Sequence, residues 1–74
     1  MTATQASGTT FPVRAYDLLD RVGHTATVHG HTGRLVRVAP NEDSPFHLDI
    51  LLRRGAESHV ERVHVLDTAH LHTR

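Results

Sequence analysis

Apolar residues at positions 15, 18, 19 and 22 are spaced i, i+3, i+4 and i+7, the signature of one helix face. The spacing predicts a helix over residues 11–22, with Thr10 as its cap, Pro12 in the first turn and Gly23 just past the end. Beyond Gly23 the period falls to two. Thr25–His29 alternates, with Ala26 and Val28 on one face. His29-Gly-His-Thr-Gly33 reads as a tight turn. In Arg34–Ala39, Val36 and Val38 are predicted inward and Arg37 outward. A polar loop, 40–45, is fenced by Pro40 and Pro45. In Phe46–Arg54, Leu48, Ile50 and Leu52 share one face, and His47, Asp49, Leu51 and Arg53 the other. Gly55-Ala56 fits a two-residue hairpin turn. Ser58–Leu66 is predicted as a strand with Val63 and Val65 on one face and Arg62 and His64 on the other. Ser58 and Glu61 also match a helix capping box, so a helix over 58–70 is the competing reading; Val60, Val63 and Val65 favour the strand. A short helical turn at 67–70 and a strand stub at Leu71 complete the prediction.

The fold class this implies is mainly β: a small antiparallel barrel of four to five strands behind one N-terminal helix. Ten-residue strand spacing with short connections suits a meander, and curling hides the sheet edges. At 74 residues there is room for one domain, over 10–74. Residues 1–9 carry no apolar anchor and are expected to be disordered.

Val28-x-Gly30-x-x-Gly33-x-Leu35-Val36-x-Val38 is similar to the first hairpin of SH3-like small barrels of the KOW and Tudor type. Val63-x-Val65-Leu66 with Ala69-x-Leu71 resembles their last strand, helical turn and fifth strand. More distantly, a leading helix with Gly33, Leu35 and Asp43 resembles the Sm/Hfq barrels. The resemblance covers about residues 22–72 and implies a fold, not a set of binding residues. The sequence departs from those groups in charge and in aromatics. KOW nucleic-acid binders are basic, and Tudor cages are aromatic; here the aromatics are Phe11, Tyr16 and Phe46 alone.

Composition narrows the function. Eight basic residues, all arginine, balance eight acidic ones, so no general basic excess draws the chain to nucleic acid. An arginine-only basic set is what GC-rich coding, as in many bacteria, produces. No cysteine is present, which removes disulfides, zinc-thiolate sites and thiol nucleophiles. No apolar run approaches a membrane span, and the N-terminus lacks the pattern of a signal peptide. A soluble cytoplasmic protein is expected.

Three sets of residues are candidates for binding. Arg37, Asp49, Leu51, Arg62 and His64 are predicted on the outer sheet face, where exposed apolar groups beside arginines suit a protein partner or a second copy. Arg34, Arg53 and Arg54 near turns suit phosphate and make nucleic acid the alternative partner. His29, His31, His47 and His64, from a total of eight histidines, are the candidate metal ligands, with surface histidine enriched by coding bias as the simpler explanation. Catalysis has little support. Ser44, Ser58, His47 and Asp49 occur, but no Gly-x-Ser-x-Gly elbow and no phosphate-cradling loop accompany them. The sequence therefore reads as a non-catalytic binding module, regulatory or oligomeric, with no cofactor and no small-molecule substrate.

Overall fold

The computed structural model describes residues 9–73. Six antiparallel strands form one sheet: β1 (Thr9–Arg14), β2 (Thr25–Val28), β3 (His31–Pro40), β4 (His47–Arg54), β5 (Glu57–His64) and β6 (Thr68–Thr73). Their spatial order is β1-β6-β2-β3-β4-β5, which leaves β1 and β5 at the edges. The expected tail lies outside the described residues except for Thr9, which begins β1.

The predicted helix over 11–22 is not formed. Its first half is β1, paired along its whole length with β6 from Thr9↔Thr73 to Arg14↔Thr68. Pro12 is tolerated because β1 is an edge strand. Only Ala15–Asp20 is helical, and it is a 3-10 helix. Ala15 and Leu18 are fully buried, whereas Leu19 and Val22 are about half exposed (48% and 53%). The i, i+3 pair therefore serves a three-residue period rather than 3.6. The opening amides of this helix are satisfied by the chain after β5: Ala15 N–H donates to Asp67 O at 2.8 Å and Tyr16 N–H to Val65 O at 3.1 Å. Asp17 accepts from Arg14 N–H, and the Arg14 guanidinium donates to Leu66 O. A lone amphipathic helix of three turns is marginal; a paired strand plus a pinned 3-10 turn satisfies more backbone.

The strand pattern holds better. The turn between β2 and β3 is only His29-Gly30, both with positive φ (50° and 83°), the pattern of a type I′ hairpin. His31, Thr32 and Gly33, expected in the turn, belong to β3. Gly33 is buried, and a Cβ there would stand 2.9 Å from the Arg53 carbonyl oxygen. β3 carries a bulge. Leu35 faces Leu52 and Arg37 faces Leu51, so Val36 is the extra residue. Leu35 thereby takes the inward place expected for Val36, which is left 38% exposed; Val38 packs against the core as predicted. β4 keeps its expected alternation, and Gly55-Ala56 turns the chain into β5, paired from Arg54↔Glu57 to His47↔His64. The strand reading of 58–66 holds as far as His64, with Val65 and Leu66 in the turn that follows, and the competing helix does not form. After a turn closed by Asp67 N–H donating to His64 O, β6 runs as a full strand, replacing the expected helical turn and stub. It wedges between β1 and β2, with Leu71 opposite both Phe11 and Ala26.

The core is small. Leu18, Val28, Leu35, Ile50 and Val63 are its fully buried large side chains, joined by Leu48, Leu52 and Leu71. Among the described residues no helix is long and apolar enough to cross a membrane.

Candidate functional site

Strand alternation assembles two polar surfaces on opposite sides of β4 and β5. The outer one follows the cross-strand rows. Arg37, Leu51 and Val60 form one row across β3, β4 and β5; Ala39, Asp49 and Arg62 form the next. These residues line a concavity of about 420 Å³. Arg34 stands directly opposite Arg53 in a further row, two positions from Leu51 along β4. Arg37 and Arg62 thus flank Leu51 and an exposed Val60 in the concavity, and Arg34 and Arg53 occupy the adjacent row towards the β4–β5 turn.

Few of these charges are neutralised locally. Arg62 Nε lies 3.8 Å from Asp49 Oδ1. Arg34 Nε donates to Gly23 O at 3.4 Å. Arg37 and Arg53 make no ion pair among the described residues. Two guanidinium groups facing each other across a ladder repel unless an anion sits between them. At the opposite end Glu42 and Asp43 border the concavity. Asn41, which the sequence did not single out, shapes that end. It is buried, its amide donates to both Asp49 oxygens (3.1 and 3.2 Å), and its own oxygen accepts from Asp43 N–H at 2.8 Å. An Asn after a proline at the end of a strand is the sequence signal of such a side-chain-closed turn.

The nucleic-acid candidates are divided. Arg34 and Arg53 join the outer face, while Arg54, one residue on, alternates to the inner side and pairs in register with Glu57. The four histidines chosen as metal ligands are also divided. His47 and His64 face each other at the outer edge, with ring centroids 5.4 Å apart, and Phe46 stacks on His64. Ser44 Oγ is bonded to His47 Nδ1 at 2.7 Å and fixes the 44–47 turn. His29 and His31 sit instead at the turn of the β2–β3 hairpin and meet β5 from the inner side.

There they surround Glu61. Its Oε2 is 2.8 Å from His29 Nδ1; its Oε1 is 2.6 Å from His59 Nε2 and 3.7 Å from His31 Nε2. The His31 and His59 rings are stacked at 4.0 Å. Asp67 Oδ2 accepts from His64 N–H at 3.0 Å and lies 3.3 Å from His29 Nε2. The electrostatics follow. The hydrogen bond to Glu61, aided by that to Asp67, raises the His29 pKa against a smaller opposing effect of burial. Hydrogen bonds from His59 and His29 lower that of Glu61. Asp67 is lowered chiefly by the His64 backbone N–H. His59 and Glu61 were absent from the sequence-derived metal set. The available signal was their i, i+2 spacing in a strand whose next inward residue is Val63.

No known protein family, curated protein or solved structure matches this chain.

Proposed function

We propose that this chain is a non-catalytic binding module with an SH3-like small-barrel fold, and that its outer β3–β5 face docks an extended acidic segment of a partner protein. The observation that carries the reading is the placing of Arg37 and Arg62 beside Leu51 and Val60 in one concavity, with Arg34 and Arg53 in the adjacent row and Asp49 facing Arg62. The barrel architecture is supported by the bulged, bent β3 and by a closing turn after β5 that leads into a strand beside β2. A cysteine-free chain fits a cytoplasmic setting.

The chemistry selects the occupant. Carboxylates of the partner meet guanidinium forks, which bind them in bidentate fashion. Its aliphatic side chains cover Leu51 and Val60 and remove them from water. Glu42 and Asp43 at the far end repel the acidic portion and so give the segment a direction. Nucleic acid would meet the same arginines but an aliphatic floor where aromatic stacking is needed.

Fluorescence anisotropy with a labelled peptide of alternating acidic and aliphatic residues, beside single-stranded RNA and duplex DNA, tests this at about 50 and 200 mM salt. Micromolar peptide binding that Leu51→Asp and Arg37→Ala each weaken supports it. Salt-sensitive binding of RNA or DNA with none of the peptide overturns it in favour of nucleic acid. A concentration-dependent dimer that Leu51→Asp dissociates, again without peptide binding, would overturn it in favour of self-association.

A further inference from the structure

The inner side of β5 breaks the rule its neighbours obey. Leu48, Ile50 and Leu52 of β4 all face inward, and their partners across the ladder are Val63, Glu61 and His59. Val63 is fully buried, as the pattern requires. The next two inward positions carry a carboxylate and an imidazole. Departures of this kind from binary patterning cluster where function or strain overrides packing. His29 holds φ 50°, as the first position of a type I′ turn requires, and this fixes where its ring leaves the hairpin.

We propose that His31, His59 and Glu61 bind a first-row divalent transition-metal ion of the zinc type, which staples the β2–β3 hairpin to edge strand β5. The nearest donor atoms of the three residues lie within 4.8 Å of one another. An ion with bonds of about 2.0–2.2 Å to imidazole nitrogen and carboxylate oxygen needs only small side-chain movements to span them. Glu61 presents Oε1 to both His31 Nε2 and His59 Nε2, and its other oxygen is occupied by His29 Nδ1. The entering ion takes the place of the hydrogen between His59 Nε2 and Glu61 Oε1, and the neutral His59 ring ligates through Nε2 while keeping its one proton on Nδ1.

The surroundings suit a metal. His29 is itself held by Asp67, so the carboxylate ligand is oriented by an imidazole that a second carboxylate fixes. Such outer contacts orient ligands in known metal sites. Two imidazoles and a carboxylate favour zinc and its neighbours over calcium or magnesium, which take oxygen shells. Three protein ligands leave a position for water. His31 and His59 also border an open concavity of about 340 Å³, which gives the ion a path in. This site lies on the opposite side of β5 from the proposed docking face and does not depend on it.

Isothermal titration of the full chain with zinc chloride is the test, with cobalt(II) absorption as the report on coordination. One saturable equivalent that raises the melting temperature is expected. His31→Gln with His59→Gln weakens it at least about 100-fold, the upper end of what outer-contact mutations alone cost. His47→Gln with His64→Gln leaves it within about twofold, since their link to the site runs through the His64 backbone N–H on Asp67, which the substitution keeps. In the wild-type protein, imidazole nitrogen NMR shifts of His31 and His59 move on zinc addition, and those of His47 and His64 do not; this measurement stands if a variant fails to fold. Absence of saturable binding, or equal loss in the His47/His64 variant, or movement of the His47 and His64 shifts in place of those of His31 and His59, overturns the proposal.

Discussion

Glu61 stands directly opposite Ile50 across the β4–β5 ladder, so a carboxylate that is 21% exposed shares its register position with a fully buried side chain of the core. It is tolerated because its oxygens are met by His29 and His59. A partly buried carboxylate without those partners would be costly.

That arrangement makes stability depend on pH in a defined window. The His29 pKa is raised above 6.5, so its contribution is complete below that value and is lost as pH rises through the folded-state pKa. The Glu61 pKa is lowered below 4.5, so its contribution is complete above that value and is lost as the solution is acidified through the folded-state pKa. The two overlap between pH 4.5 and 6.5. In metal-free buffer the melting-temperature gap between wild type and Glu61→Gln should be widest there and should narrow towards pH 8. A gap that is constant with pH would show that the pairing adds nothing.

Gly33→Ala should destabilise by about 1–3 kcal/mol, the usual cost of overpacking. Its Cβ would stand 2.9 Å from the Arg53 carbonyl oxygen and 3.2 Å from both the Arg53 carbonyl carbon and Leu52 Cβ, none of which is the yielding end of a flexible side chain. Urea denaturation at unchanged m-value would show it as a lower midpoint.

Leu18→Ala and Leu19→Ala distinguish the observed 3-10 turn from the helix the spacing predicted. Leu18 is fully buried and Leu19 is 48% exposed. The first should cost about 2–5 kcal/mol, as core leucines do. The second should fall within about 0.5 kcal/mol of wild type, as surface positions do. Similar losses at both positions would contradict the 3-10 geometry.

Asn41→Ala should cost about 1–3 kcal/mol, because the Asp49 carboxylate and the Asp43 amide lose their partner together. Hydrogen exchange should quicken at Asp43 and at other amides of the 41–46 loop, while β2 and β6 keep their protection.

The β4–β5 hairpin was legible because period-two alternation and a Gly-Ala turn agree over eighteen residues, 47–64. The outer face came with it: once alternation places Leu48, Ile50 and Leu52 inside, Asp49 and Leu51 must lie outside, and the ladder adds Arg62. Residues 11–22 were misread because an i, i+3 spacing of apolar residues fits a 3-10 helix as well as an α-helix. What decided between them was pairing with β6, sixty residues away. The division of the four candidate histidines into two separate pairs was hidden for a similar reason. Spacing within one strand is visible in a sequence; the approach of the His29–His31 hairpin to His59 and Glu61 is set by how the sheet curls, which local pattern does not encode.

Val36 has a consequence for mechanics. Up to Arg34, β3 has β2 on one side, and from Arg34 to Pro40 it is laddered to β4; the extra residue falls next to the changeover. The strand is in effect two rods of opposite side-chain phase with a joint between them. β4 is laddered to both rods, through Leu35↔Leu52 before the joint and Arg37↔Leu51 after it, so the bulge turns the side-chain phase of β3 without parting the sheet.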